Sequence, residues 1–292
     1  MSEPQLPKLP TRRVDTHKGD IGRVLVIAGS RGMVGAACLA GDAALRAGAG
    51  LVRIAVPECI WDTAAAKVTC AMTQGFPDSA EGTFAAEALE PLTEACEWAD
   101  VVALGPGLGR TGDARQVVRG LVETIEHPLV IDADGLFHLE VSRDALASRA
   151  YPTVLTPHPG EMAHILDCEI AAVEKEREKT CVDFARRHGV VCVLKGAGTV
   201  VSDGERCSVN TTGNPGMATG GTGDVLTGVI AALIGEGLTP FDAAVLGVYL
   251  HGLAGDLAVE AYGIHSLIAT DVLYFLPQAF IEYGASEEAA ES

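Results

Sequence analysis

A single carboxylate lies in a glycine-rich segment of the sequence. Residues 213–228, GNPGMATGGTGDVLTG, contain six glycines and a single ionisable side chain, Asp224. The apolar run 225–233 follows and predicts a helix that begins near Thr222. Glycine allows backbone N–H groups to approach an anion closely, and a helix start adds unpaired N–H groups and a favourable dipole.

This arrangement predicts a phosphate cradle with a general base, Asp224, at its edge. A carboxylate that only caps the helix is the alternative interpretation, and such a cap contributes about 1 kcal/mol. A cap requires one residue, however, and leaves the surrounding glycines without an explanation.

A second glycine-rich segment, ALGPGLGR at 103–110, comes directly after a predicted strand. Its glycines, Gly105, Gly107 and Gly109, lie at the carboxyl edge of the predicted sheet, where open α/β folds bind ligands. A tight strand-to-helix turn would explain the same glycines.

The segment at 28–37, AGSRGMVGAA, has a GxxGxxG spacing that departs from the dinucleotide fingerprint, and the chain has no GxxxxGK[ST] P-loop. Any nucleotide must therefore bind in another cradle.

Two more segments place a titratable side chain at the end of a predicted strand. TPHPGE, 156–161, holds His158 between prolines in extended geometry, and Glu161 can cap the helix that begins near Gly160. KGAGT, 195–199, allows the Lys195 ammonium and the amides after it to face a phosphate or a ribose. The alternatives are a structural histidine and a solvated lysine. We expect His158 to contact a ligand.

Composition and periodicity together predict an α/β protein. Hydrophobic residues form 48% of the 292-residue chain, glycine is abundant at 34 residues, and aromatic residues are only 5%. Unalternating apolar runs predict buried parallel strands at 23–29, 51–57, 100–105, 128–134, 153–157 and 190–196. Helices are expected at 35–48, 83–98, 113–126, 160–167 and 172–188, a hairpin at 199–210, and mostly helix over 222–282. The pattern predicts one doubly wound, mostly parallel sheet with helices on both faces.

The chain is expected to form a single domain over residues 1–292, because it has neither an internal repeat nor a long linker. We expect an ordered core at about 15–282, with mobile termini. The formal net charge of −18 excludes general nucleic-acid binding, since such a chain repels polyanions. The eight scattered cysteines form no CxxC pair and indicate neither a disulfide framework nor a zinc site. No signal peptide and no apolar run of membrane-spanning length is apparent, so we expect a cytoplasmic protein without a membrane partner.

Six segments in this order resemble one known family. They are HKGDIGRVLVIAGS, ALRAGAGLVRIAVP, GPGLGR, LTPHPGE, VLKGAGT and GNPGMATGGTGDVLTG. Together, over roughly residues 15–280, they are similar to the ADP-dependent NAD(P)H-hydrate dehydratases, a branch of the ribokinase-like superfamily with a three-layer α/β/α fold. In many bacterial relatives this domain is fused to an epimerase, and we expect no such domain to precede this one.

The resemblance implies repair of NADH or NADPH that has been hydrated at C6. In the family, ADP phosphorylates the C6 hydroxyl of the S epimer, phosphate is then eliminated, and AMP is released. Phosphate is a far better leaving group than hydroxide, and the ring-nitrogen lone pair can expel it. No redox centre is required. The resemblance also implies Mg²⁺, for which the sequence indicates no ligand, as well as functional pairing with an epimerase and a homotetramer.

Residue roles follow from the matching motif positions. The resemblance implies that Asp224 is the base and contacts the hydrate, and that the amides of Gly221 to Gly223 stabilise the transferred group. The nucleotide would bind at Lys195, Gly196, Ala197, Gly198, Thr199 and Gly223. The hydrated dinucleotide would bind at Gly35, Ala36, Gly107, His158 and Asp224.

Three other functions share part of this pattern. A small-molecule kinase of the hydroxymethyl-pyrimidine or thiazole type would use the same anion cradle and base, although the order and content of TPHPGE and GPGLGR favour the dehydratase. A nucleotide sensor would not need a base such as Asp224. An ordinary NAD oxidoreductase is disfavoured by the poor dinucleotide-fingerprint spacing.

Overall fold

A single large sheet forms the centre of the molecule. The computed structural model describes residues 6–139 and 143–291. The strands of this described part are β1 (Arg23–Ile27), β2 (Leu51–Pro57), β3 (Met72–Phe76), β4 (Val101–Leu104), β5 (Leu129–Ile131), β6 (Thr153–Leu155), β7 (Val191–Leu194), β8 (Val200–Ser202) and β9 (Cys207–Val209). Their order is β3-β2-β1-β4-β5-β6-β7-β8-β9. Neighbours from β3 to β7 pair in parallel, whereas β8 and β9 form an antiparallel hairpin at one edge.

Helices cover both faces of this sheet. One face packs against α1 (Val34–Arg46), α2 (Trp61–Lys67), α10 (Thr222–Gly235), α11 (Pro240–Tyr262) and α12 (Ala269–Glu291). The other face packs against α3 (Leu89–Cys96), α4 (Gly112–Thr124), α5 (Asp134–His138), α6 (Arg143–Ser148), α7 (Pro159–Leu166), α8 (Ile170–Lys175) and α9 (Arg177–His188). The predicted doubly wound, three-layer α/β/α class is confirmed.

The unalternating apolar strands follow from this layered arrangement. In β1, Val24 and Val26 contact the helices of one face, while Leu25 and Ile27 contact those of the other. All four side chains are fully buried. A strand covered on both sides needs apolar residues at every position, which explains why these runs are visible in the sequence.

The six predicted strands, the hairpin and the helical C-terminal third are all present, with ends that differ by a few residues. Strand β3 was not predicted, because it is an edge strand whose MTQGF sequence is half-exposed and too polar for a core pattern. The helix expected over 172–188 is broken at Glu176, whose φ of −133° and ψ of 46° separate α8 from α9. The single-domain prediction for 1–292 remains a prediction, and its termini include residues 1–5 and 292, outside the described part.

Close packing against α1 holds α10 in place. A Cβ added at Gly228 of α10 would overlap the carbonyl oxygen of Ala40 in α1, so the two helices touch backbone to backbone.

In the described part of the chain, α11 is the one helix with the length and apolar composition of a membrane span. It packs in the core, where 61% of its most apolar window is buried.

Candidate active site

Two of the residues expected to bind the hydrated dinucleotide, Ala36 and Gly107, meet where the strand order reverses, between β1 and β4. The Gly29 amide donates to the Pro106 carbonyl at 2.8 Å, and Ser30 Oγ donates to the Gly107 carbonyl at 2.8 Å. A Cβ at Gly107 would lie 3.1 Å from the Cβ of Ala36. The structure therefore brings Gly107 and the start of α1 together at the topological switch point, where doubly wound folds bind ligands.

Asp224 lies in the first turn of α10, close to the same edge of the sheet. The helix begins after Gly221, which has a φ of +96° and no side chain to cap the following amides. The first-turn N–H groups, including those of Thr222 and Gly223, have no acceptor within the helix. Such amides and the dipole of the helix favour an anion at this position, and the anion cradle expected from the glycine-rich sequence stays a prediction.

The environment of Asp224 gives it the proton affinity of a base that works near neutral pH. Burial, and next the negative charge of Asp132, raise the pKa of Asp224 from its ordinary value of 3.8 to about 7. The Lys195 ammonium opposes this change, whereas Asp134 and Glu161 add to it. A carboxylate with such a pKa is ionised in a large fraction of molecules at neutral pH and still binds a proton strongly, as general base catalysis requires.

A buried ion pair lies directly beside this turn. Lys195 Nζ donates to Asp132 Oδ1 at 2.6 Å, and Thr227 Oγ1 donates to Asp132 Oδ2 at 2.9 Å. Burial alone would raise the pKa of Asp132, but the ammonium and the nearby hydroxyls hold it below its usual range. Burial would likewise lower the pKa of Lys195, but Asp132 and Glu161 raise it. Both groups are therefore charged.

His158 has a structural role, the alternative that the sequence left open. Its Nδ1 accepts hydrogen bonds from the amides of Gly160 and Glu161 at 3.0 and 3.2 Å, and Glu161 Oε2 accepts from the His158 amide at 2.8 Å. The residue is the N-cap of α7 in a reciprocal capping box. In the neutral ring the proton is then on Nε2. The imidazole is 56% exposed, and its Nε2 lies 3.5 Å from Glu161 Oε1; contact of His158 with a ligand stays a prediction.

The predicted nucleotide-binding residues surround one cavity of about 480 Å³. Lys195 to Thr199 form one part of its lining, and Gly223 forms another. Residues 210–215 line it as well. His251, at the cavity wall, donates from Nε2 to the Thr222 carbonyl at 2.9 Å, and burial lowers the pKa of His251 to about 4. This imidazole is neutral and supports the first turn of α10.

Comparison with known proteins identifies the family. The family model Carb_kinase, described as NAD(P)H-hydrate dehydratase, matches residues 24–278. The chain belongs to this family. The resemblance expected from the six motifs is thereby confirmed.

Relatives and solved structures agree with this assignment. The bifunctional NAD(P)H-hydrate repair enzyme Nnr of Moorella thermoacetica is 46% identical over 272 residues, 92% of this chain and 51% of that protein. The Nnr of Escherichia coli is 41% identical over 90% of this chain and 48% of its own length. The chain thus spans about half the length of the curated relatives it matches. The crystal structure of the ADP/ATP-dependent NAD(P)H-hydrate dehydratase of Bacillus subtilis, co-crystallised with ATP and Mg²⁺, has 32% identity and a TM-score of 0.78, with 94% of each chain covered.

Several residues of this family member were missed by sequence reasoning. Asp132 lies inside the segment PLVIDAD that was predicted as a strand, and directly after β5 in the structure; a carboxylate at the end of a buried strand could have indicated it. Asp256 lies in the middle of α11 and gives no local indication. Its carboxylate accepts from the Gly213 amide at 2.8 Å and from Asn214 Nδ2 at 2.9 Å, and so fixes the loop on one side of the cavity.

The side chains at this edge fit a magnesium ion only if the nucleotide supplies most of its ligands. Among residues 6–139 and 143–291 there is no group of three or more His, Cys, Asp or Glu side chains arranged to hold a metal. Mg²⁺ commonly binds through one or two carboxylates together with substrate phosphates and water. Asp132, Asp134 and Glu161 are the carboxylates whose charge acts on Asp224, but Lys195 already neutralises Asp132.

Proposed function

We propose that this chain catalyses the ADP-dependent dehydration of the S epimer of NADH or NADPH hydrated at C6, with release of AMP and phosphate. Membership of the NAD(P)H-hydrate dehydratase family supports this reaction class. The observation that carries the proposal is the position of Asp224. Its carboxylate has a pKa of about 7 and lies in the uncapped first turn of α10, where the neighbouring residues Thr222 and Gly223 line the 480 Å³ cavity.

In the proposed first step, Asp224 accepts the proton of the C6 hydroxyl while that oxygen attacks the terminal phosphoryl group of ADP. The P–O bond to AMP breaks, and AMP leaves. The amides from Gly221 to Gly223 donate to the transferred phosphoryl oxygens, where negative charge is concentrated. Mg²⁺ held by the nucleotide phosphates would neutralise part of that charge when bound.

In the second step, the ring-nitrogen lone pair expels phosphate from C6, and the neighbouring ring carbon then loses a proton. The C5–C6 double bond of the dihydronicotinamide is restored, and no electron is exchanged with a redox cofactor. Lys195, held beside Gly223 by Asp132, contributes a fixed positive charge close to the leaving phosphate. In a chain with a net charge of −18, such local cations and amides must hold the anionic substrates.

One assay distinguishes the proposed dehydration from phosphorylation alone. Enzymatically hydrated NADH is offered with ADP or with ATP, and recovery of dihydronicotinamide absorbance is followed together with AMP and phosphate release. We expect absorbance recovery coupled to nucleotide consumption, and recovery slowed by about 100-fold or more with Asp224→Asn. A stable phosphorylated product without absorbance recovery would instead make this chain a small-molecule kinase. Nucleotide binding without either reaction would indicate that the chain is a nucleotide sensor.

The remaining predictions extend this function beyond the single chain. The name "bifunctional repair enzyme" of the Moorella and Escherichia relatives supports functional pairing with an epimerase activity. The Mg²⁺ bound with ATP in the Bacillus protein supports use of a nucleotide–magnesium complex. The free cysteines of the described residues are those expected in a reducing cytoplasm. A homotetramer is also proposed, by resemblance alone.

A further inference from the structure

One arginine forms several hydrogen bonds to the loop that lines one side of the 480 Å³ cavity. Arg177, the first residue of α9, donates from Nη1 to the Ala197 carbonyl at 2.6 Å. Its Nη2 donates to the carbonyls of Leu194 and Lys195 at 3.0 and 3.2 Å. One guanidinium thus binds three carbonyl oxygens within four residues. The motif KGAGT contains no side chain that could bind these carbonyls itself.

The glycines of the loop allow this close approach. Gly196 has a φ of +142° and Gly198 has a φ of +63°, which side chains with a Cβ rarely adopt. A Cβ at Gly196 would lie 2.8 Å from Arg177 Nη2, which leaves no room for a side chain between loop and guanidinium. The loop conformation therefore depends on both the glycines and the arginine.

The hydrogen bonds to Arg177 also determine the direction in which the amides of the loop point. In a trans peptide the C=O and the N–H point in opposite directions. Since the carbonyls of Lys195 and Ala197 point to Arg177, the amides of Gly196 and Gly198 point away from it. Lys195 to Thr199 line the cavity, whereas Arg177 is not part of its lining and holds the loop from behind.

We propose that Arg177 is a positioning residue for the nucleotide, which orders the loop 195–199 so that the amides of Gly196 and Gly198 face the phosphates or ribose of ADP. This inference rests on the proposed function for the identity of the nucleotide. Arg177 contacts no reacting atom, so its effect is on the affinity for ADP rather than on the chemical step. A lysine cannot replace it, because an ammonium lacks the planar fork that reaches three carbonyls.

The chain provides a matched control on the same helix. Arg186 of α9 donates from Nε and Nη2 to the Gly204 carbonyl at 3.0 and 2.8 Å, in the hairpin turn between β8 and β9. Arg186→Met therefore removes a similar guanidinium-to-carbonyl contact without touching the cavity loop. Arg177→Met and Arg177→Lys are compared with it and with wild type.

Three readouts are measured for the full chain: ADP affinity by calorimetry, KM and kcat for ADP and for the hydrate, and amide hydrogen exchange over 195–199. If the loop keeps its binding conformation about a tenth of the time in Arg177→Met, the Kd and KM for ADP rise about tenfold. Exchange in the loop should accelerate. The KM for the hydrate and kcat at saturating ADP should change little, and Arg177→Lys should behave like Arg177→Met. Arg186→Met should match wild type.

Two outcomes would overturn the inference. One is an Arg177→Met variant that lowers kcat or melting temperature but leaves the Kd for ADP and loop exchange unchanged, which would make the arginine only a structural support. The other is a wild-type chain that binds no ADP. In a third case, wild-type protein binds ADP and the Arg177 variants lose affinity as expected, but hydrated NADH is never converted back to NADH. That result would contradict the proposed function and leave the inference about Arg177 in place.

Discussion

Lys195 Nζ lies 2.6 Å from Asp132 Oδ1, and a Cβ added at Gly223 would lie 3.4 Å from the same ammonium and 3.5 Å from Asp132 Oδ2. The ion pair at the ends of β5 and β7 therefore lies against the first turn of α10. Asp132 raises the pKa of Asp224 and Lys195 lowers it, after the larger effect of burial. The two charges together tune the proton affinity of the proposed base.

The first prediction concerns the pH dependence of the wild-type protein. The base must be ionised to accept a proton, and the pKa of Asp224 is about 7. We expect kcat/KM for the hydrate, which reports the groups of the free enzyme, to rise with pH through about 7 and to fall roughly tenfold for each pH unit well below it. A pH–rate profile from about pH 5 to 9 measures this directly. A flat profile down to pH 5 would show that no group with this pKa takes part in the limiting step.

A second prediction follows from the charge of Asp132. Asp132→Asn removes the largest electrostatic contribution that raises the pKa of Asp224, while Lys195 still lowers it, so the acid limb of the kcat/KM profile should move to lower pH. The melting temperature should also fall, because one partner of a buried ion pair is lost. Thr227→Val is the matched control: it alters the other oxygen of the same carboxylate without changing its charge. An acid limb that stays in place in Asp132→Asn would contradict the assignment of that limb to Asp224.

The third prediction is that Asp224→Asn separates catalysis from binding. Turnover should fall by about 100- to 10,000-fold, the usual contribution of a general base, while the Kd for ADP stays close to wild type. Calorimetry and the absorbance assay measure the two quantities. Turnover close to normal would remove the assignment of Asp224 as the base.

The same variant should be more stable than wild type in alkaline solution. The raised pKa of Asp224 means that the folded protein binds this proton more tightly than the unfolded chain does. The stabilising effect of the proton is complete below about pH 4 and is lost as pH rises through about 7. The neutral amide of the variant has no such dependence, so the melting-temperature advantage of Asp224→Asn should grow over this range and stay constant above it.

A fourth prediction divides the two roles of His158. His158→Ala removes both the N-cap of α7 and the exposed imidazole, so it should lower stability by about 1 kcal/mol and raise the KM for the hydrate. His158→Asn keeps a capping acceptor and should restore the stability but not the KM. If the KM for the hydrate is normal in both variants, His158 is only a helix cap.

The fifth prediction tests the packing that holds α10 in place. Gly228→Ala puts a methyl group against the Ala40 carbonyl and should destabilise the fold by about 1–3 kcal/mol, in addition to lowering kcat as Asp224 moves with the helix. Gly235→Ala, at the end of the same helix, is the control, since its Cβ would meet only ordinary contacts from 3.5 Å. Denaturant unfolding measures both. Equal stability of the two variants would contradict the close α1–α10 contact.

Much of the fold could be predicted from the sequence because burial on both sides leaves a local pattern. The run that became β7 is apolar at every position, as is β1 after Arg23, and the glycines before Thr222 mark the helix start and the proposed cradle. The edge strand β3 and the break at Glu176 were missed because half-exposed strands and helix breaks have no comparable pattern. The residues of KGAGT and Gly223 could be named from the motifs, while their meeting around one cavity could not.

The sequence by itself determined most of the strands and helices, which residue is the proposed base, and which family the motifs resemble. Only the tertiary structure decided which distant groups act on one another. Asp132 and Lys195 are 63 residues apart, and Arg177 approaches Ala197 from another layer of the fold. The physical reason is that hydrophobic periodicity is a property of neighbouring residues, whereas the charge that shifts the pKa of Asp224 depends on the order in which the parallel strands assemble.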